Sequence, residues 1–171
     1  DDSINVWNVN VPYLRAVEDK EEQSPYQSWA VSVTVDNLSK SIKNSYSDIG
    51  TIKEIDFSGL KKNPNKASKS QVVKFIGSNK KSVELTKTQL RSLLGLKSSN
   101  FTIELEGNKK AKGDTLKIDK DDKKLIFKGS GFGHRLGMSQ WGAKSLADKG
   151  KKYQQILYHY YSDVNIKDMY K

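Results

Sequence analysis

Residues 129–143 of this 171-residue chain read GSGFGHRLGMSQWGA. Five glycines, one of the chain's two histidines and one of its three tryptophans fall within this stretch. A strand-like run, KLIFK (residues 124–128), precedes it, and a helix-like run follows it and ends at Gly150. Because glycine tolerates positive φ and lets other groups approach its backbone closely, the stretch is predicted to be a tight turn between a strand and a helix.

The polar side chains of this turn allow two interpretations. His134, Arg135, Ser139 and Gln140 stand beside the glycines, so a rigid turn would present them to a ligand. Histidine can donate, accept or carry a proton near neutral pH, which makes His134 the first candidate for chemistry or ligand contact. In the alternative interpretation the glycines serve packing alone, and His134 holds the turn by a structural hydrogen bond. The residues leave both interpretations open.

The glycines do not match the fingerprint of a dinucleotide-binding turn. Counted from Gly129 and Gly131, the third glycine of that motif would fall on His134. The motif also requires a βαβ unit with an acidic residue about twenty positions further on. The acidic residue in that region, Asp148, is predicted to lie near the end of a helix. A phosphate-binding loop is therefore not expected.

The rest of the chain predicts strands first and helices late. Alternating apolar residues predict strands at residues 5–11, 29–35, 51–57, 71–76, 81–85, 101–106, 115–119, 124–128 and 164–166. Helices are predicted at residues 37–44 after an Asp36 cap, from a Thr86–Gln89 capping box to Leu94, at 139–149 and at 153–161. The predicted fold class is α+β, with a mainly antiparallel β-sheet or barrel-like core, short helices and two C-terminal helices. Residues 1–171 are expected to form a single domain with a mobile polar loop at residues 59–70.

The composition limits the classes of function. The net charge of +10 comes from lysines scattered through predicted turns, which is typical of solvated loops and protected sheet edges. Such a surface attracts anions, including an anionic cell wall, but no zinc-finger, RNP-like or helix-turn-helix pattern is present, so specific nucleic-acid binding is not expected. The chain has no cysteine, which excludes disulfides and thiolate chemistry.

Metal, cofactor and membrane sites are not predicted either. His134 and His159 are the only histidines, and no acidic residue lies within three positions of either in sequence. We therefore expect no metal site and no cofactor. No apolar run approaches the length of about twenty residues that spans a bilayer, and no signal-peptide pattern is present. A membrane anchor is expected only if it lies outside this chain.

The C-terminal part of the sequence resembles a known family. Residues 129–166, in which Gly150 closes one helix and ILYHYY (156–161) belongs to the next, resemble the C-terminal signature of the SpoIID/LytB family. Two upstream blocks, VPYLRAV (11–17) and QLRSLLGLKSSNF (89–101), fit the same family in the same order. The resemblance runs from about residue 7 to the end. It implies that the chain is the C-terminal part of a larger SpoIID-like protein.

The resemblance implies a role in bacterial cell-wall remodelling. The sporulation branch resembles lytic transglycosylases that cut peptidoglycan stripped of its stem peptides, whereas the LytB branch acts as a noncatalytic amidase enhancer or wall-binding module. The partners implied are peptidoglycan glycan strands and either a cell-wall amidase or other sporulation proteins. The location implied is extracytoplasmic: the cell wall or the outer face of the membrane, including the engulfing mother-cell membrane during sporulation.

The resemblance also implies a set of glycan-contacting residues. These are His134, Arg135, Ser139, Gln140 and Trp141, together with Arg91. They would line part of a glycan-binding groove, and Arg91 would either face that groove or pair with an acidic residue. Trp141 would either stack on a sugar ring or belong to the core. Ser139 would be a nucleophile only with a base nearby, and a helix N-cap is its alternative role.

Two departures from the family pattern bear on catalysis. The family's catalytic glutamate precedes Met-Pro in an N-terminal region, and no acidic residue of this chain is followed by Met-Pro. The catalytic residue is therefore unknown here and is expected to lie outside the chain. The family usually has glycine after the histidine, where this chain has Arg135. That cation either narrows the groove or contacts a ligand.

Overall fold

The computed structural model describes residues 3, 9–19, 24–60, 72–107, 109–167 and 169. Its strands are β1 (Trp29–Thr34), β2 (Ile52–Asp56), β3 (Val72–Gly77), β4 (Ser82–Thr86), β5 (Phe101–Leu105), β6 (Thr115–Lys117) and β7 (Lys124–Gly129). Its helices are α1 (Val35–Ser45), α2 (Lys87–Leu94), α3 (Gln140–Asp148) and α4 (Tyr153–Tyr160), with a 3₁₀ turn at Ser58–Leu60. The predicted mobile loop at 59–70 begins within that turn, and its residues 61–70 lie outside the described residues. The predicted strand 5–11 also lies mostly outside them.

The strands form two antiparallel sheets. The first has the order β1-β7-β5, and the second has the order β4-β3-β2-β6. Each sheet keeps its own two edge strands within the described residues, so neither closes on itself, whereas a barrel requires every strand to be paired on both sides. The predicted α+β class, antiparallel pairing and two C-terminal helices are confirmed, and the barrel-like alternative is wrong.

The two sheets share a hydrophobic core with helices α1 and α2. Strand β7 contributes Leu125 and Phe127, which are both fully buried because alternate residues of a strand point to the same face. The second sheet contributes Ile55 and Phe75, and α1 contributes Leu38, all in one continuous cluster. The central strand of the first sheet is therefore anchored in the main core immediately before the glycine-rich turn begins.

The local capping signals were largely correct. Thr86 and Gln89 form the predicted capping box at the start of α2, and Gly95 ends that helix in the left-handed conformation with φ of 62°. The predicted Asp36 cap is wrong, because the Thr34 hydroxyl accepts the hydrogen bond from the Asn37 N–H and α1 begins at Val35. Asp36 instead lies in the first turn of the helix.

The C-terminal helices pack against each other and against an N-terminal segment. The Ser162 N–H donates to the Tyr13 carbonyl (3.1 Å), and His159 Nε2 lies 2.8 Å from the Glu18 carbonyl oxygen. Ile156 and Tyr160 are buried on α4, whereas Tyr153 at the start of the same helix is 61% exposed. The strand predicted at residues 164–166 is absent from the described residues, because the chain finds no strand partner there.

Candidate functional site

The glycine-rich turn leaves the sheet where three strands meet. Gly129, the last residue of β7, pairs with Trp29 of β1 and with Phe101 of β5. Two of these three residues are aromatic and buried, so the end of β7 is closely surrounded. The chain from Ser130 onward therefore starts from a rigid position at the edge of the main core.

Hydrogen bonds from two other segments hold the turn in place. The Gly131 N–H donates to the Tyr26 carbonyl (2.7 Å), and the Trp29 indole N–H donates to the Gly131 carbonyl (3.1 Å). On the other side, the Gly133 N–H donates to the Lys97 carbonyl (2.8 Å). Because these hydrogen bonds satisfy backbone groups on both sides of the turn, they fix its backbone conformation.

An open cleft of about 910 Å³ lies along this turn. Its lining comes from residues within 15–19 and 24–27, from Asn100 and from residues 130–141. The lining includes five of the six predicted site residues: His134, Arg135, Ser139, Gln140 and Trp141. The His134 side chain is exposed, so the turn presents this imidazole to solvent.

His134 also has a structural role in the turn. Its Nδ1 accepts a hydrogen bond from the Leu136 N–H at 3.1 Å. The neutral ring with this geometry carries its proton on Nε2, because an acceptor nitrogen cannot be the protonated one. The structural hydrogen bond and the open position thus coexist in one residue, and the two interpretations of His134 do not exclude each other.

Arg135 occupies a backbone conformation that favours glycine. Its φ is 63°, whereas most of the described residues with positive φ are glycines. A left-handed backbone costs a non-glycine residue about 1–2 kcal/mol. The glycine expected at this position in the family therefore has a steric reason, and this chain keeps the conformation with a cation in its place.

The charge of Arg135 affects the pKa of a half-buried neighbour, Lys87. Burial lowers the pKa of Lys87, and the positive charge of Arg135 lowers it further. The Lys87 ammonium donates to the Phe101 carbonyl (2.8 Å) and lies over the Phe101 ring. Lys87 does not line the cleft, so within this pair only Arg135 offers its positive charge to an anion bound there.

We predict that Arg135→Gly raises the free energy of unfolding by about 0.5–1 kcal/mol. The substitution removes about 1–2 kcal/mol of left-handed strain, and the greater backbone entropy that glycine loses offsets about 0.5–1 kcal/mol of that gain. Urea unfolding measures the change. Lys80→Gly is the matched control and should give a similar gain, since Lys80 also has φ of 63° and lies exposed in the β3–β4 turn. A loss of stability in the Arg135 variant alone would contradict the strain argument.

Helix α3 begins in the cleft wall and positions three of the predicted residues. Ser139 is its N-cap, and the serine Oγ accepts a hydrogen bond from the Gly142 N–H at 2.8 Å. This confirms the capping role of Ser139. Gln140, in the first turn, is exposed, and Trp141 beside it is half-buried with part of its side chain facing the cleft.

Arg91 does not line the cleft. Its Nε donates to the Lys97 carbonyl at 3.4 Å, and that carbonyl also accepts the hydrogen bond from the Gly133 N–H. The structure therefore places Arg91 behind the turn. From there it supports the segment that holds Gly133, and it is separated from the other five predicted residues.

Among the cleft residues that sequence reasoning missed are Arg15, Asp19, Tyr26 and Phe132. Phe132 carried a signal, since a phenylalanine between two turn glycines cannot be a regular core position. The other three lie more than 100 residues upstream of the turn. No local pattern marks them, because the fold alone brings them to the cleft.

Asp19 is the one acidic side chain in the cleft lining, taken over the residues that the structure describes. Its Oδ1 accepts a hydrogen bond from the hydroxyl of buried Tyr160 (2.8 Å). A Cβ at Gly142 would run into this carboxylate and this hydroxyl, so a glycine is required there for close approach. Asp19 thus links the N-terminal segment to α3 and α4 at the edge of the cleft.

Neither a metal centre nor a membrane-spanning helix is found in the described part of the chain. No three His, Asp or Glu side chains there are grouped so that they could hold a metal ion. None of the helices in the described ranges is long and apolar enough to cross a membrane.

Comparison with known proteins gives relatives but no family model that matches the chain. An uncharacterized protein of Brachyspira hyodysenteriae is 32% identical over 171 residues, which cover 98% of this chain and 40% of that protein. The amidase enhancer of Bacillus subtilis is 27% identical over 93% of this chain and 27% of its own length. The stage II sporulation protein D of Bacillus amyloliquefaciens is 28% identical over 95% of this chain and 40% of its own length. The chain thus spans 40% or less of each of these curated relatives.

Proposed function

Because the chain is a member of the SpoIID/LytB family, we propose that its cleft binds the glycan strands of bacterial peptidoglycan during cell-wall remodelling. One observation carries the proposal. Five residues of the family-like block, His134, Arg135, Ser139, Gln140 and Trp141, line one open cleft. Hydrogen-bonding side chains beside aromatic surface are what a sugar polymer requires, since sugars offer hydroxyl groups and apolar C–H faces.

The proposed reaction of the complete protein is lytic transglycosylation. A general acid protonates the glycosidic oxygen, and the muramic 6-hydroxyl attacks the anomeric carbon as the bond to that oxygen breaks. The 6-hydroxyl proton is lost to a base, so the products are an anhydro sugar end and a free hydroxyl. Such an acid needs a pKa raised by a partly apolar site.

This chain is proposed to supply the groove wall and not the acid. Among its described carboxyls, those with a resolved shift have their pKa lowered, in each case chiefly by a hydrogen bond, and they are Asp48, Asp56, Glu104 and Asp122. These shifts are opposite in sign to the one that a general acid needs. None of the four residues lines the cleft. In the proposal, the acid comes from a part of the protein outside this chain.

We predict that the 171-residue chain binds glycan strands without cutting them. Strands stripped of stem peptides should bind with a Kd between about 10 µM and 1 mM, which corresponds to about 4–7 kcal/mol. Trp141→Ala should weaken binding, whereas Tyr158→Ala, at an exposed site on α4 outside the cleft, should not. Calorimetry measures the affinity, and mass spectrometry of the strands detects anhydro ends.

Two outcomes would contradict these statements. Anhydro product released by the pure chain would show that the acid lies within it. Failure of the chain to bind any glycan strand would overturn the proposed function itself.

A second candidate function is enhancement of an amidase without catalysis. It is favoured by the relative named amidase enhancer, which matches over 93% of this chain. The complete protein and denuded glycan strands distinguish the two. Anhydro-muramoyl products support the transglycosylase, and stimulation of a cell-wall amidase with no such products supports the enhancer. Either function places the protein on the extracytoplasmic side, in the cell wall or at the outer face of the membrane.

A further inference from the structure

Phe132 combines an exposed ring with a fixed backbone. The residue is 62% exposed and lines the cleft. Gly131, before it, forms hydrogen bonds with the Tyr26 carbonyl and the Trp29 indole N–H. Gly133, after it, donates its N–H to the Lys97 carbonyl and accepts a hydrogen bond from the Ser99 N–H (3.4 Å). A flexible loop would let such a ring fold back onto the protein surface. Here the hydrogen bonds on both sides keep it in the cleft.

A second aromatic ring supports the Phe132 ring from behind. The rings of Tyr26 and Phe132 have centroids 4.8 Å apart and planes inclined by 34°, and both residues line the cleft. The Gly131 N–H donates to the Tyr26 carbonyl, so the two rings are held by the same backbone frame. At this separation the rings overlap face to face, so Tyr26 backs the exposed Phe132 ring, and we call the pair the Tyr26–Phe132 platform.

A cation accompanies the platform. The ammonium of Lys97 lies 5.1 Å from the centroid of the Tyr26 ring. A ring of this kind attracts a cation through its quadrupole, so Lys97 is kept beside the platform. The Lys97 side chain is exposed beside the cleft, whose lining residues do not include it.

We propose that the Tyr26–Phe132 platform and Lys97 form a subsite for a pyranose that carries a carboxylate. The platform stacks against the apolar C–H face of the sugar, and the Lys97 ammonium pairs with the carboxylate. In a peptidoglycan strand stripped of stem peptides, the lactyl carboxylate marks N-acetylmuramic acid, whereas N-acetylglucosamine has none. The subsite therefore selects the muramic residue and sets the register of the strand in the cleft. This inference rests on the proposed glycan-binding function.

Three oligosaccharides of equal length test the subsite by calorimetry. The first is a denuded strand fragment with free muramic carboxylates, the second is the same fragment with the carboxylates reduced to alcohols, and the third contains N-acetylglucosamine alone. The wild-type chain should prefer the first over the other two by about 2- to 5-fold, the size expected for one exposed charge pair. The preference should shrink as salt is raised, because exposed charges are screened.

Two variants separate stacking from charge recognition. Phe132→Ala should weaken binding of all three ligands by about 3- to 10-fold, whereas Tyr153→Ala, at a ring of equal exposure outside the cleft, should not. Lys97→Gln should abolish the preference for the carboxylate while leaving binding of the neutral ligands unchanged. Lys53→Gln, at an exposed position on β2 of the other sheet, is its matched control.

The outcomes distinguish this inference from the proposed function. If the wild-type chain binds strands but Phe132→Ala behaves like Tyr153→Ala, the subsite is overturned and the glycan-binding function stands. Equal binding of free and reduced carboxylates, or an unchanged preference in Lys97→Gln, also overturns the subsite. If the wild-type chain binds none of the ligands, both proposals are wrong.

Discussion

Replacement of Phe127 by alanine is expected to lower the free energy of unfolding by about 3–5 kcal/mol, the range found for deletion of a buried aromatic ring. Phe127 is fully buried at the centre of β7, where it pairs in register with Val31 and Ile103 on the two flanking strands. Its ring meets the Phe101 ring edge-on at 5.6 Å. The substitution would therefore leave a cavity beneath the strand that carries the turn.

Phe132→Ala is the matched control for this loss of stability. The same chemical change at a ring that is 62% exposed should alter the free energy of unfolding by no more than about 0.5 kcal/mol. Guanidinium unfolding of both variants measures the difference. Equal losses in the two variants would show that Phe132 is a core residue, and would contradict its assignment to the cleft surface.

Replacement of Gly129 by alanine is expected to destabilise the protein by about 3 kcal/mol or more, at the upper end of the range for overpacking. A Cβ at this position would overlap the Trp29 ring and the Asn100 carbonyl oxygen. A backbone carbonyl cannot move aside as the end of a flexible side chain can. Strand β5 or the Trp29 ring must therefore shift.

The same substitution should also reduce glycan affinity, measured at temperatures at which the variant is still folded. A displaced Trp29 ring would weaken the hydrogen bond from its indole N–H to the Gly131 carbonyl, which supports the turn. Thermal unfolding and calorimetry measure the two effects. Ser32→Thr adds one methyl group at an exposed position of the same sheet and should change neither. A Gly129 variant with wild-type stability would refute the close approach at the end of β7.

Local chemistry explains the parts of the fold that could be predicted. The Thr86–Gln89 capping box, the Gly95 helix end and the Ser139 cap each depend on groups within a few residues of one another. The free energy of such a cap is the same wherever the helix lies. These features were therefore correct before any tertiary contact was known.

Predictions failed where two local options were close in energy or where a distant partner was needed. Thr34 and Asp36 are both good N-cap residues, and the earlier start that Thr34 allows buries Val35 at the beginning of α1. Residues 164–166 alternate like a strand, but a strand requires a partner, and none is present in the described ranges. The choice between barrel and separate sheets likewise depends on pairing between distant strands.

The candidate site likewise combines residues that are placed by local sequence with residues that are placed by long-range contacts. The chain's own order places His134, Arg135, Ser139, Gln140 and Trp141 together, because a glycine turn followed by a helix cap is a local structure. Arg15, Asp19 and Tyr26 reach the same cleft only through long-range contacts, such as the bond from the Tyr160 hydroxyl to Asp19. The sequence alone thus determined the turn and the groups that it carries. Tertiary packing decided which distant residues complete the cleft around these groups, because contacts between distant segments have no local signature.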